Sequence, residues 1–293
     1  MDGILPLWKP KGLTSHDCVF KVRKIAQTKK VGHTGTLDPE VEGVLPLCLG
    51  KATKLVPFLT DTTKTYEAVV RLGSSTETED ATGDIVESAE VPDFTTETIK
   101  ESLASFIGEI TQVPPMYSAV KVKGRRLYEY AREGVEVERP ERQVYIHALS
   151  FLERIDATTF KMKVICSKGT YIRTLCVDIG RFLGVPAHMK ELVRTGTGDF
   201  QEEHCTRLED LDYATISRKL LPMERAVSHL PKWEVTEEEA EWIENGQRFN
   251  VPDTWEAGAI HCAVYDGDLL ALYQDHPEKP GLIKPVRVFG RKQ

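Results

Sequence analysis

Val31–Lys54 reads VGHTGTLDPEVEGVLPLCLGKATK, and one carboxylate in it is tightly constrained. Asp38 lies between Leu37 and Pro39, with Gly32, Gly35 and Gly43 around it and His33 and Thr34 just upstream. Glycine permits close backbone approach, and Pro39 fixes its own φ and restricts Asp38. Such a carboxylate suits a positioned nucleophile or general base; the plainer reading is an Asp-Pro turn. The apolar run Val44–Leu49 reads as a buried strand or helix anchoring the loop. Gly50–Thr53 (GKAT) fails as a phosphate loop, because Leu45 stands at the first glycine position and Ala52 at the Ser/Thr position.

Working outward, ILPLW (4–8) reads as a short buried strand and KPKG as a turn. Ser15 is the expected N-cap of a helix reaching Ala26, with Cys18, Val19, Val22 and Ile25 inward. Its other face carries Lys21, Arg23 and Lys24, either a solvated face or a phosphate patch. KTYEAVVRLG (64–73) alternates as a strand, with Tyr66, Ala68, Val70 and Leu72 on one face. STETEDATG (75–83) is a polar loop containing Asp80. Thr95 or Thr96 caps the next helix, which Gly108 ends. Between Tyr117 and Arg132 stand Lys121, Lys123, Arg125, Arg126 and Arg132 against the single acid Glu129, with Tyr128 and Tyr130 interleaved. This composition suits either gripping an RNA or a tyrosine-packed hairpin and helix.

Phe160–Cys166 reads as a strand, and Thr170 is the expected cap of a helix that stops at Gly184. Arg173 then falls in the first turn, where a cation opposes the helix dipole by about 0.3–1 kcal/mol, so a nearby anion is expected. From Pro231 the character changes to an acidic helix and short strands, with Asp266-Gly267 as a hairpin turn.

The 293 residues are 41% hydrophobic and 28% charged, ordinary for about two globular domains. The opening MDGILPLWKPKG has no signal-peptide pattern and no apolar run spans a membrane, so a cytoplasmic location is expected. The six cysteines form no CxxC pair and read as reduced thiols; His204–Cys205 lacks a second pair of metal-ligand spacing. No cofactor and no metal are expected. The net charge of −7 conceals a basic front, with nine Lys/Arg against five Asp/Glu in residues 1–60, and an acidic tail, with seven against twelve in residues 231–293.

Taken together, HTGTLDPxxxGVLPLCLGKATK closely resembles the signature of the bacterial tRNA pseudouridine-55 synthases, with Glu42 departing from the small residue usual there. The resemblance continues through KPxGxTSxxxV (Lys9–Val19), KxYxxxxxLG (Lys64–Gly73), TxDxxG ending at Gly83 (with Glu77 where Asp is usual), PPMYSAxKxxGxxLYEYAR, KGTYIRTL and AHxxxLxRxxxGxF. It implies isomerisation of uridine 55 in the T-loop of tRNA to pseudouridine, with Asp38 catalytic as nucleophile or base. It implies further that Arg173 aims Asp38, Tyr66 stacks on the base, Tyr171 and Leu192 complete the pocket, Asp80 supports it, and His33 fills the gap left by the flipped base. The implied fold is α+β: a mixed, mainly antiparallel sheet with flanking helices, plus a small C-terminal β-barrel resembling a PUA domain. Residues 1–230 would be the catalytic domain, with a tRNA-gripping insertion at about 112–145, and residues 231–293 the RNA-binding domain, removable without loss of the core. The partner would be the T-arm of tRNA and the protein a monomer. Two rivals stay open: a hydrolase pairing Asp38 with Glu42 or Asp80, and a non-catalytic tRNA-binding protein or RNA chaperone.

Overall fold

A computed structural model describes residues 1–291. Val44–Leu49 is strand, not helix. It belongs to β3 (Glu42–Leu49), which pairs antiparallel with β1 (Gly3–Lys9). Both strands are apolar on consecutive residues because both of their faces are covered. Leu5, Leu7, Leu45, Leu47 and Leu49 pack against helix α1 (Ser15–Ile25), while Ile4, Trp8, Val44 and Cys48 pack the other way. Pro6 and Pro46 are register partners. Two residues without N–H thus share one rung and waste no ladder donor, while Pro46 O accepts from the Thr34 N–H at 3.3 Å.

The main sheet has ten strands and is mixed, mainly antiparallel, as expected. The short β2 (Val31–His33) pairs with β3. Beyond β3 the order runs through β8 (Ala187–Thr197), β4 (Lys64–Leu72), β7 (Thr159–Cys166), β6 (Arg142–Arg154) and β5 (Gly108–Gln112). The β3–β8 contact is parallel and the outer pairs are antiparallel. Helices α2 (Thr96–Ala104) and α3 (Ile172–Phe182) cover one face, burying Ala68, Val70 and Leu72 with Ile99, Leu103, Leu175 and Ile179. The opposite face of β4 is polar, with Lys161 Nζ 2.7 Å from Glu67 Oε2. The α2 cap is Thr95, but the helix ends at Ala104 and Gly108 opens β5. Within residues 112–145, the strands Lys121–Val122 and Arg125–Arg126 form a hairpin that leads into a short helix, Leu127–Arg132.

The tail forms the expected small curled β module, five strands beside the acidic helix Glu237–Glu244. Its hairpin turns at Asp266-Gly267, both at positive φ (49° and 80°), which a primed turn requires. No helix among the described residues is long and apolar enough to cross a membrane.

The tail is less separable than its composition suggests. Leu269, Leu272, Phe289 and Cys262 share one hydrophobic cluster with Ile4, Trp8, Val44 and Cys48 of the main sheet. The GKATK segment forms a 3₁₀ helix, Gly50–Leu55, whose Lys51 Nζ donates to Arg291 O at 3.2 Å and Lys54 Nζ to Val288 O at 2.5 Å. Removing the tail would expose the underside of β1 and β3. Leu272→Ala, fully buried in this seam, is expected to cost about 2–5 kcal/mol. Urea unfolding followed by tryptophan fluorescence and circular dichroism should show one shifted transition; two separated transitions would mean that tail and core fold independently.

Candidate active site

The Asp38 loop is held from three sides. Leu37 and Val41 bracket it and are buried beside Tyr66 and Leu192. Leu37 N–H donates to Ser15 Oγ at 2.9 Å, and Val41 N–H to Asp38 O at 3.1 Å. Pro39 O accepts from Gly12 N–H at 2.9 Å and from Lys9 Nζ at 3.0 Å. The KPxGxTS segment is therefore the cradle of the loop. Ser15 is not the helix cap: Thr14 is, in a reciprocal capping box with Asp17. That frees the Ser15 hydroxyl, 2% exposed, to clamp Leu37. Lys9 is fully buried, and its ammonium is spent on the carbonyls of Pro10, Leu13 and Pro39. Burial pushes its pKa down, against the raising influence of Cys18, Glu40 and Asp38.

Arg173 comes from the first turn of α3, and the anion expected beside it is Asp38, with Nη2 3.2 Å from Oδ2. The cap of α3 is Tyr171, with no side-chain bond, because the Thr170 hydroxyl turns back to Ser167 O at 2.9 Å. The Tyr171 backbone is fixed instead by the buried Gln112, whose amide accepts from its N–H at 2.9 Å and donates to its carbonyl at 3.1 Å. Arg173 also donates to Thr78 O at 3.0 Å and Tyr117 O at 2.9 Å, and its Nη1 lies 3.8 Å from Asp80 Oδ2. The guanidinium is thus ringed by two carboxylates and two carbonyls. The two acids differ in availability. The Asp38 side chain is 44% accessible, against 15% for Asp80. Asp80 Oδ1 is also engaged by the Thr78 hydroxyl at 2.7 Å and Thr82 N–H at 2.9 Å. Asp38 can meet a substrate, while Asp80 is committed to holding its own loop.

Tyr66 on β4 is half-buried and lies opposite Arg194 of β8. Burial pushes its phenol pKa up, and the Arg194 guanidinium works the other way. Leu192, opposite Ala68, shares this face and lies in one apolar cluster with Leu37, Val41, Ile172 and Tyr66. His33 ends β2; burial first, then the charge of Arg194, holds its imidazole below the usual histidine range. It is therefore neutral near pH 7. The fold thus gathers Asp38, Arg173 and Asp80 around one ion-pair network, with Tyr66 and Leu192 packed beside the loop. Sequence reasoning missed the roles of Lys9, Ser15, Gln112 and Arg194. The hydrogen bonds that define these roles go to backbone atoms, which leave no side-chain pattern to read.

Residues 23–172 match the family model of the TruB family pseudouridylate synthase N-terminal domain, and residues 173–228 that of the tRNA pseudouridylate synthase B C-terminal domain. The chain belongs to the TruB family. A TruB-family relative from Oceanobacillus iheyensis, named tRNA pseudouridine synthase B, is 55% identical over 301 residues, covering 99% of this chain and 98% of its own. A protein of the same name from Bacillus subtilis is 48% identical over 305 residues, covering 100% and 99%. Among solved structures, a Cbf5-Nop10-Gar1 complex matches with a TM-score of 0.77 at 32% identity, over 98% of this chain and 84% of that one. An H/ACA RNP bound to a substrate RNA containing 2'-deoxyuridine matches with a TM-score of 0.76 at 30% identity, over 99% and 85%. The TruB fold thus runs the length of the chain, and with it the enzyme class: an isomerase that makes pseudouridine.

Two measurements check this geometry. Ser15→Ala leaves the Leu37 N–H buried without its acceptor, so it is expected to cost about 1–3 kcal/mol in denaturant unfolding and to slow turnover as the loop loosens. His33 contributes to pH dependence with a definite sign. Its pKa is depressed in the folded state, so the unfolded chain binds the proton more readily. That contribution is complete above pH about 6.5 and is lost as pH falls below it. Melting profiles from pH 7.5 to 5 should fall more steeply for the parent than for His33→Gln; parallel profiles would contradict the assignment.

Proposed function

We propose that this protein isomerises uridine 55 in the T-loop of tRNA to pseudouridine, with Asp38 as the catalytic residue on a flipped-out uridine. The observation that carries the reading is the state of Asp38: anchored on one oxygen by Arg173 and still open to solvent. The reaction breaks the bond between uracil N1 and ribose C1′, turns the base and rejoins it through C5. It needs one carboxylate positioned at the sugar or the base, as nucleophile or base, and an apolar wall that keeps the detached uracil in place. Leu192, Tyr66 and Tyr171 supply the wall, with Tyr66 stacking on the base. Unpairing and unstacking the nucleotide costs a few kcal/mol, and the neutral His33 is suited to occupy the space it leaves.

The remaining parts follow the same logic. Residues 1–230 act as the catalytic unit and residues 231–293 as an RNA-binding unit docked against it. The insertion at about 112–145 grips the T-arm. Within it Arg125 is committed to Glu133 at 2.6 Å and Glu129 at 3.8 Å. Phosphate contact therefore falls to Lys121, Lys123, Arg126 and Arg132, the last two lying over the Tyr128 ring. The protein works as a cytoplasmic monomer.

Asp38→Asn is the direct test. The amide keeps the size but is a poor nucleophile and base, so release of tritium from uracil C5 of a tRNA transcript is expected to fall by several orders of magnitude. Affinity for tRNA should stay within a few-fold of the parent. A folded Asp38→Asn protein that releases tritium within about tenfold of the parent rate would remove Asp38 from the mechanism.

A further inference from the structure

Arg194 is the bulkiest of the fully buried side chains, 2% exposed, and the ion-pair network of Asp38, Arg173 and Asp80 does not include it. Its side chain spends itself on main-chain carbonyls: Nε donates to Val44 O at 2.8 Å and Nη2 to Gly35 O at 3.2 Å. Burying a cation without a carboxylate is costly, and if Arg194 only filled space, an apolar side chain would do so at less expense. What it joins explains why a cation is kept. Gly35 lies three residues before Asp38 and two after His33, Val44 begins the apolar run of β3, and Tyr66 is the cross-strand partner of Arg194 on β4. Gly43 is the register partner of Arg194 at the β3–β8 contact, where a Cβ would clash with Arg194 O, so only glycine allows the two backbones to come this close. The charge of Arg194 bears on both His33 and Tyr66. A guanidinium can only donate, so a phenol beside it keeps its oxygen toward the cation and turns its hydrogen away.

We propose that Arg194 is a positioning residue for the isomerisation, holding the Gly35 and Val44 backbone and the Tyr66 phenol in one frame against the Asp38 loop. This rests on the assignment of Asp38 and Tyr66 to the uridine pocket. Arg194 acts through those groups and does not touch the substrate. Its loss therefore falls on the chemical step and leaves RNA binding nearly intact.

The test uses the full chain carrying Arg194→Lys or Arg194→Met, each alone and combined with Tyr66→Phe. Single-turnover tritium release, tRNA Kd and melting are measured on the same preparations. Displacing a reacting group by about 1 Å can cost about a hundredfold, so Arg194→Met is expected near that loss and Arg194→Lys, which keeps the charge, near tenfold. The Kd should stay within about threefold of the parent, since no phosphate contact is removed. On the Tyr66→Phe background both losses should shrink by the share carried through the hydroxyl, leaving only the share carried through the Gly35 and Val44 carbonyls. Equal losses on both backgrounds, or a loss that follows Kd or the folded fraction, would overturn the proposal. If Arg194→Met does not fold, the Lys arm decides by the same criterion. Tyr66→Phe at the parent rate would also overturn it, whereas an active Asp38→Asn would instead remove the pocket assignment beneath it.

Discussion

The Arg173–Asp38 contact does two things at once: it holds a carboxylate still and leaves it accessible. One guanidinium nitrogen takes one carboxylate oxygen, and the acid's side chain stays 44% accessible. For that to work Arg173 must itself be immobile, which is why its remaining hydrogens go to Thr78 O, Tyr117 O and the neighbourhood of Asp80. Those acceptors come from two separate loops. The 75–83 loop and the segment around Tyr117 thus both meet the first turn of α3, and the far edge of the sheet contributes through Gln112 on Tyr171.

The same solution recurs with the other buried cations. Lys9 is capped by three carbonyls, Lys64 by those of Thr60 and Thr62, and Arg194 by those of Val44 and Gly35. Burial pulls Lys64 down to about 8. Main-chain oxygens compensate charge without adding an acid that would compete with Asp38 for Arg173. They also explain the glycine and proline content of the site, since loops with irregular backbones are where carbonyls are free of ladder bonds.

Much of this was legible in the residues. The alternation of Tyr66–Leu72, the capping signals before α2 and the Asp266-Gly267 turn each follow from local chemistry, and each formed as expected. The anion demanded by Arg173 in a first turn turned out to be Asp38. Ser15 and Thr170 were misread for a shared reason: hydroxyls beside a helix start have several backbone partners within reach, and tertiary contacts choose among them. Arg194 stood inside a quoted motif, but periodicity cannot tell a buried cation from a surface one. The seam between tail and core was invisible as well, because the even-numbered residues of β1 look the same whichever layer covers them.

The join between the 3₁₀ helix Gly50–Leu55 and the tail has a consequence for how the sequence can drift. Lys51 and Lys54 grip Arg291 and Val288 by their carbonyl oxygens, an atom that every residue type presents alike. A change of side chain at either position therefore leaves these two contacts to the core in place, while the two lysines that reach for them cannot be exchanged so freely. For these two bonds the constraint is one-sided, concentrated in the segment that follows the Asp38 loop.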